Sequence, residues 1–283
     1  MDFKPDRLFF KTIATLSIPD EKTESFSSLL TFHRTLLMDK IHALRVFNNM
    51  SSNMVENYLS LQKQKFRNTV DDTLSVVEKK KYDIDLSLAL LGNPKHVSKN
   101  SKIAKLFEKE KEVYNHREHI RRASKEMVLV YLVIIFEEFL SSLLSALFVK
   151  RHDTLKASDK SVSFKDALEH TDINDLVKTM SKKESKGIVD MDIEDLGKRL
   201  GDRFHLYLDK RKDWPKFKEF FYRRHIIVHN YGFPDTKYIE KTKFKGEKNH
   251  WIEISDTYLN EAFNIFENYA NEMVNFFHKK YAH

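Results

Sequence analysis

The chain has 283 residues, 49 Lys+Arg against 42 Asp+Glu, a formal net charge of +7, and no cysteine. Without cysteine there is no disulfide framework, no cysteine zinc site, no iron–sulfur cluster and no thiol nucleophile. The 6 glycines form no phosphate-cradling pattern, so a P-loop and a dinucleotide-binding turn are excluded as well.

Residues 7–16 form a short apolar-rich element, and Pro19-Asp20 breaks it. The N-terminus has no apolar signal core, which points to a cytoplasmic chain. From about Lys22 to Phe47 the positions Phe26, Leu29, Leu30, Leu36, Leu37, Ile41 and Leu44 follow helical spacing. A second long helix is expected from Ser52 to near Leu90. Asn93-Pro94 and the polar run to Lys102 read as a linker. Between Asn100 and Lys125 there are eight Lys/Arg and four acids, a basic helix that runs on into the apolar stretch Met127–Val149. That stretch is long enough to span a bilayer. Glu137 and Glu138 lie at its centre, and each would cost about 2.5–3.5 kcal/mol there. It therefore reads as a buried core helix rather than a membrane span, with one acid turned toward a polar partner and the other outward.

Residues 150–187 are polar and Ser/Lys-rich, with one weak helix around Phe164–Met180, and read as a mobile connection. A helix from about Ile193 to Tyr207 follows. Acids at its start (Asp190, Asp192, Glu194, Asp195) suit the helix dipole better than a metal cluster. Asp213 and Pro215 mark the start of the next helix, and Gly232 its end. Two β-rich runs, Lys237–Phe244 and Trp251–Ile254, flank Gly246 and suggest a small hairpin. A last amphipathic helix covers about Thr257 to Lys280. The expected fold is all-α: a helical bundle with a small β-hairpin insertion, with residues 1–120 as an N-terminal helical extension and 121–283 as a domain.

The most informative segment runs from Tyr222 to Asn230. Lys218, Tyr222, His225 and His229 follow helical spacing and form one polar stripe. Ile226, Ile227 and Val228 supply an anchoring side, and Glu219 and Arg223 are an i,i+4 pair. His229 falls in the last turn, where the dipole favours its charged form and a nearby arginine opposes it. A histidine held this way suits proton exchange near neutral pH. His225 and His229, four apart, can also share a metal, but a third ligand is not evident and the arginines repel a cation, so no metal is expected. The acids at 137 and 138 point about 100° apart on a helix, which does not suit a catalytic carboxylate pair.

Arg224-His225-Ile226-Ile227-Val228-His229 resembles the R-x4-H motif of the HEPN superfamily of helical ribonucleases and nucleotide-binding domains. The likeness extends to an aromatic-rich helix entering the motif (Trp214 to Tyr222), then His229-Asn230-Tyr231-Gly232, then Lys237-Tyr238-Ile239, then a final helix. An upstream apolar helix carrying Phe136-Glu137-Glu138-Phe139-Leu140 also looks like the family's core helix. The resemblance spans about Glu126 to His283; the first 120 residues match no pattern.

The resemblance implies a metal-independent, cofactor-free endoribonuclease that cleaves RNA by attack of the RNA's own 2′-hydroxyl. His229 would be general base or acid. Arg224 would stabilise charge on phosphate oxygens. His225 or Asn230 would orient His229 or the phosphate, and Glu137 would position the arginine. Arg223 and Tyr222 would support the site. Lys212, Lys216, Lys218 and Arg211 would track RNA. A homodimer with a composite site is implied too, because Arg224 and His229 lie about 140° apart on one helix and do not share a face. The resemblance further suggests a toxin or effector of prokaryotic antiphage defence, with an antitoxin or defence-system protein as partner. The alternative is a catalytically inactive module of the same type that binds nucleotide, RNA or protein.

Overall fold

The structure, a computed structural model, describes residues 23–90, 101–157 and 162–282. The expected element at 7–16 and the Asn93-Pro94 linker lie outside them. Nine α-helices appear among the described residues: α1 Phe26–Thr73, α2 Val76–Leu90, α3 Ser101–Lys150, α4 Phe164–Leu168, α5 Ile173–Val189, α6 Ile193–Phe204, α7 Trp214–Asn230, α8 Thr236–Thr242 and α9 Asp256–Tyr281. Short 3₁₀ turns sit at His152–Ala157 and Leu208–Lys210.

The helix α1 is one 48-residue rod where the sequence suggests two helices. Residues 48–53 are weak helix formers but include no Gly or Pro, so nothing stops propagation. Ser51 also donates to the Asn48 carbonyl at 3.0 Å and accepts from Ser124 of α3 at 2.9 Å. The real break comes at Leu74-Ser75. There Glu78 accepts from the Ser75 backbone at 2.9 Å while Ser75 accepts from the Glu78 backbone at 3.4 Å, a reciprocal capping box.

The central element is α3, the one helix among the described residues long and apolar enough to cross a membrane by length and composition. Here its apolar half is a core helix. Leu132, Val133, Leu143, Leu144, Leu147 and Phe148 are fully buried against α1, α5, α7 and α9. Phe136 makes edge contacts to Phe217 of α7 and Phe266 of α9, at 5.4 and 5.0 Å between centroids. Residues 26–44 of α1 belong to the same core as the apolar half of α3. A second, small cluster of Val70, Leu74, Tyr82 and Leu106 holds the far ends of α1, α2 and α3 together.

Two expected features are corrected. Residues 173–189 are not a mobile connection. They form α5, capped by Asp172, with Ser181, Glu184, Ser185 and Ile188 buried. A buried ion pair adds to the packing of Ile188 and Val189 on the core. Glu184 meets Arg203 of α6 at 2.5 Å, and Arg203 also donates to the Thr154 carbonyl at 2.7 Å. The β-hairpin is also absent, since no strand occurs among the described residues. Asp235 caps the chain into α8, accepting from the Tyr238 backbone at 2.7 Å. Residues 251–255 run without regular structure, and the Ile252 backbone donates to the Gly232 carbonyl at 3.1 Å. A local aspartate cap outweighs the β-preference of Tyr238 and Ile239.

Candidate active site

The helix α7 carries every residue of the Arg-x4-His pattern. Pro215 lies in its first turn and Tyr231 ends it in the left-handed region (φ 53°). The Gly232 backbone (φ 78°) then donates to the Ile226 carbonyl at 2.9 Å, completing a left-handed cap. Asp213 does not cap α7 with its side chain. Its carboxylate is held by Arg211 through two hydrogen bonds of 2.9 Å.

Arg224 and Arg223 are neighbours in sequence with different surroundings. Arg223 is buried and bonded on all sides. It pairs with Glu219 at 2.8 Å, donates to the Tyr238 hydroxyl at 3.1 Å and to the Ile252 carbonyl at 3.3 Å, and lies over the Tyr238 and Tyr258 rings. Glu219 also accepts from the Tyr238 and Tyr258 hydroxyls, both at 2.6 Å. Burial, with Glu219 alongside, pushes the Tyr238 and Tyr258 phenols upward, so both stay protonated donors. This cluster staples α7 to α8, α9 and the 244–254 segment.

Arg224, by contrast, is half-buried, and its buried Nε finds no hydrogen-bond acceptor among the described residues. It exerts an electrostatic pull on Glu137 of α3. Burial raises the Glu137 carboxyl above its ordinary range; attraction to Arg224 pulls it down, and repulsion from Asp190 adds to the rise. No ion pair within 4 Å joins the two. Glu138, its sequence neighbour, points the other way and bridges to Lys40 at 2.7 Å.

The folded Glu137 carboxyl binds a proton more readily than its unfolded one, so the charged form weakens the fold as pH rises through the raised value. Glu137→Gln is expected to raise the melting temperature at neutral pH. The gain should shrink to nothing as pH falls below the ordinary carboxylate range. Thermal melts of both proteins across pH check this; an unchanged or lowered melting temperature at neutral pH overturns it.

His225 and His229 are both exposed, with ring centroids 4.7 Å apart. Partial burial and His229 beside it push the His225 imidazole below its usual range, while Asp235 opposes this. Among the described residues no group of three His, Cys, Asp or Glu comes together as a metal site. The Asn230 amide donates to the Phe233 carbonyl at 2.8 Å, which ties down the turn after the helix.

The polar stripe expected on α7 is interrupted. Tyr222 is buried, and its hydroxyl donates to Asp192 at 2.9 Å. Asp192 caps α6 through the Glu194 backbone at 3.2 Å, and Glu194 and Asp195 lie in its first turn; Asp190 instead ends α5. Val228, expected on the anchoring side, is half-exposed, while Ile226 is fully buried. Of the four cations expected to track RNA, three are ion-paired. Arg211 pairs with Asp213 and Glu272, Lys216 with Glu261 at 3.1 Å, and Lys218 with Glu194 at 2.6 Å. Lys212 is exposed.

Comparison of the chain with protein-family models, with curated proteins and with solved structures finds no match. The site therefore rests on its own geometry.

Proposed function

We propose that the protein is a metal-independent endoribonuclease of HEPN-like type, with Arg224 and His229 as its catalytic residues. The observation that carries this reading is the contrast within α7. Arg223 is consumed by the fold, whereas Arg224 keeps a buried, unbonded Nε and draws on the half-buried Glu137 carboxylate, on the same helix end as two exposed histidines whose tilted rings lie 4.7 Å apart. An arginine held in place without a bound acceptor is suited to receive one, and its planar fork fits phosphate oxygens.

In the reaction, His229 takes the proton from the RNA 2′-hydroxyl. The 2′-oxygen attacks the adjacent phosphorus, the bond to the 5′-oxygen breaks, and a protonated group returns a proton to that leaving oxygen. A 2′,3′-cyclic phosphate and a 5′-hydroxyl result. Arg224 stabilises the charge that builds on the non-bridging oxygens. His225, kept neutral by its surroundings, accepts or donates a hydrogen bond beside His229 rather than competing for the phosphate as a cation. Glu137, on the α3 side, favours the charged guanidinium of Arg224 from beyond ion-pair distance.

The 140° separation of Arg224 and His229 is met by two copies, each giving one residue to a shared site. The exposed face of α3 supports that arrangement. Met127, Tyr131 and Ile134 are exposed, and Ile134 lies one helical turn before Glu137. Phe47 and Met50 of α1 continue the apolar strip. An uncovered strip of this kind beside the site suits a second copy. Tyr131→Glu should convert a dimer to a monomer in light scattering coupled to size-exclusion chromatography. Unchanged mass would remove this face as the interface.

The test of the activity is incubation of purified protein with RNA in EDTA, beside Arg224→Ala and His229→Ala. EDTA-resistant cleavage with cyclic phosphate ends, lost in both variants, supports the reading; activity surviving both substitutions overturns the site. Cellular RNA as target, a role as toxin or effector in antiphage defence, a restraining antitoxin and a cytoplasmic setting all belong to this same proposal.

A further inference from the structure

The first half of α3 and the segment before α9 enclose a cleft of about 390 Å³. Two aromatic side chains line it, Tyr114 and Trp251, and both are about half exposed. Aromatic surface left open in a concave site is rare unless something covers it. Arg122 lies over the Trp251 ring, its guanidinium carbon 4.7 Å from the centroid. The indole is thus fixed by a cation while half its surface stays open.

The cleft's cations are already matched. Arg122 pairs with Glu126 at 2.6 Å and donates to the Tyr231 carbonyl; Lys125 pairs with Asp256 at 3.0 Å; Arg121 pairs with Glu56 at 2.7 Å. A phosphate would have to displace carboxylates that are already in place. A neutral planar ring would not. It would gain the aromatic faces, and the carboxylate of Glu253 at the lining gives an acceptor for a ring amino group.

The position matters as much as the chemistry. The cleft wall and the end of α7 are one surface, because Arg122 bonds the carbonyl two residues beyond His229. The contact is close at Gly232. A β-carbon there would stand 2.9 Å from the Arg122 guanidinium and 3.0 Å from Glu126, in a left-handed backbone that already favours glycine.

We propose that this cleft binds one nucleobase of single-stranded RNA, stacked on Trp251 and Tyr114, beside the phosphate-binding site at Arg224 and His229. The inference rests on the ribonuclease reading, which supplies the strand. Bases carrying an amino group (adenine, cytosine, guanine) are favoured over uracil, since only they donate to the lining carboxylate through such a group.

The full chain reports on the cleft through its own fluorescence, because of its two tryptophans Trp214 is buried and Trp251 is half-exposed. The probes are uncleavable 2′-O-methyl oligonucleotides of A or of U, with AMP and UMP as free-nucleotide arms. The A oligonucleotide should quench the emission, bind more tightly than the U oligonucleotide, and lose the quench in Trp251→Phe, which keeps an aromatic ring. Tyr114→Ala and Trp251→Ala should each weaken binding by roughly 5- to 150-fold, the range for loss of one stacked base. Tyr114 lies on an exposed helix face, so its removal tests binding without threatening the fold.

Binding that is unchanged in both the Tyr114 and Trp251 variants, or no quench by any probe, overturns the cleft even if cleavage is found. Binding that depends on the cleft while no RNA is cut overturns the ribonuclease reading and keeps the cleft. AMP binding as tightly as the strand identifies a free nucleotide, instead of RNA, as the source of the base. Equal affinity for A and U removes the carboxylate from recognition and overturns that part of the assignment.

Discussion

Arg223→Ala should destabilise the fold by about 3–5 kcal/mol, because it leaves a buried charge without its partner. Glu219 would keep two tyrosine donors but lose the guanidinium that neutralises it. Both side chains of the pair are largely shielded from water, at 7% and 12% exposure, so screening does little to reduce the loss. The double variant Glu219→Leu/Arg223→Met should cost less than the sum of its singles, since neither charge is then stranded. Urea unfolding checks both, with the midpoint falling at unchanged slope. The neighbouring Arg224→Ala should barely move that midpoint. An Arg223→Ala protein as stable as the parent would show that the cluster holds nothing together. With Arg223→Ala destabilised, any loss of activity in it would reflect folding, whereas Arg224→Ala would test the proposed chemistry.

The sequence makes that distinction only in part. The i,i+4 spacing of Glu219 and Arg223 is visible, but their burial depends on Tyr238, Ile252 and Tyr258, which arrive from elements that follow α7. Pairwise helical spacing is local information; desolvation is not. The same division explains the rest of the fold. The helices α7 and α9 are legible because caps, a proline, a glycine and an unbroken apolar stripe mark them. The apolar half of α3 is legible because Glu137 and Glu138 fit a core helix better than a bilayer. The helix α5 is hidden because its inward face is Ser181, Glu184 and Ser185, which read as solvated until Arg203 is placed opposite. The helix α8 is hidden by two β-preferring residues behind an aspartate cap. At the site, Arg224, His225 and His229 come from one continuous segment and are found directly. The Trp251–Arg122 contact joins distant segments, and no periodicity announces it.

In the proposed catalytic pair, Arg224→Ala should lower cleavage by about 10²–10³-fold, the loss typical of one charge-stabilising donor. His229→Ala should lower it by about 10²–10⁴-fold, as expected for a lost acid–base group. The two single variants also decide whether one chain or two build the site. If Arg224 and His229 act from different copies, mixing the variants after co-refolding forms heterodimers in which one of the two sites is fully native and the other doubly damaged. With random pairing half the dimers are mixed, so roughly a quarter of wild-type activity returns. If both residues act from the same chain, every site in every dimer carries one lesion and no activity returns. The helix geometry favours the first outcome, because a residue five positions on has turned about 140° away and cannot face the same phosphate from the same straight helix. Recovery on mixing would place the second copy against the α7 end that carries Arg224 and His229, and the Tyr131→Glu variant then tests whether the Met127–Tyr131–Ile134 strip, on the same helix as Glu137, is part of that interface. Absence of recovery, with each variant dimeric and folded, would require Arg224 to reach round α7 to His229, and would make the dimer irrelevant to the chemistry.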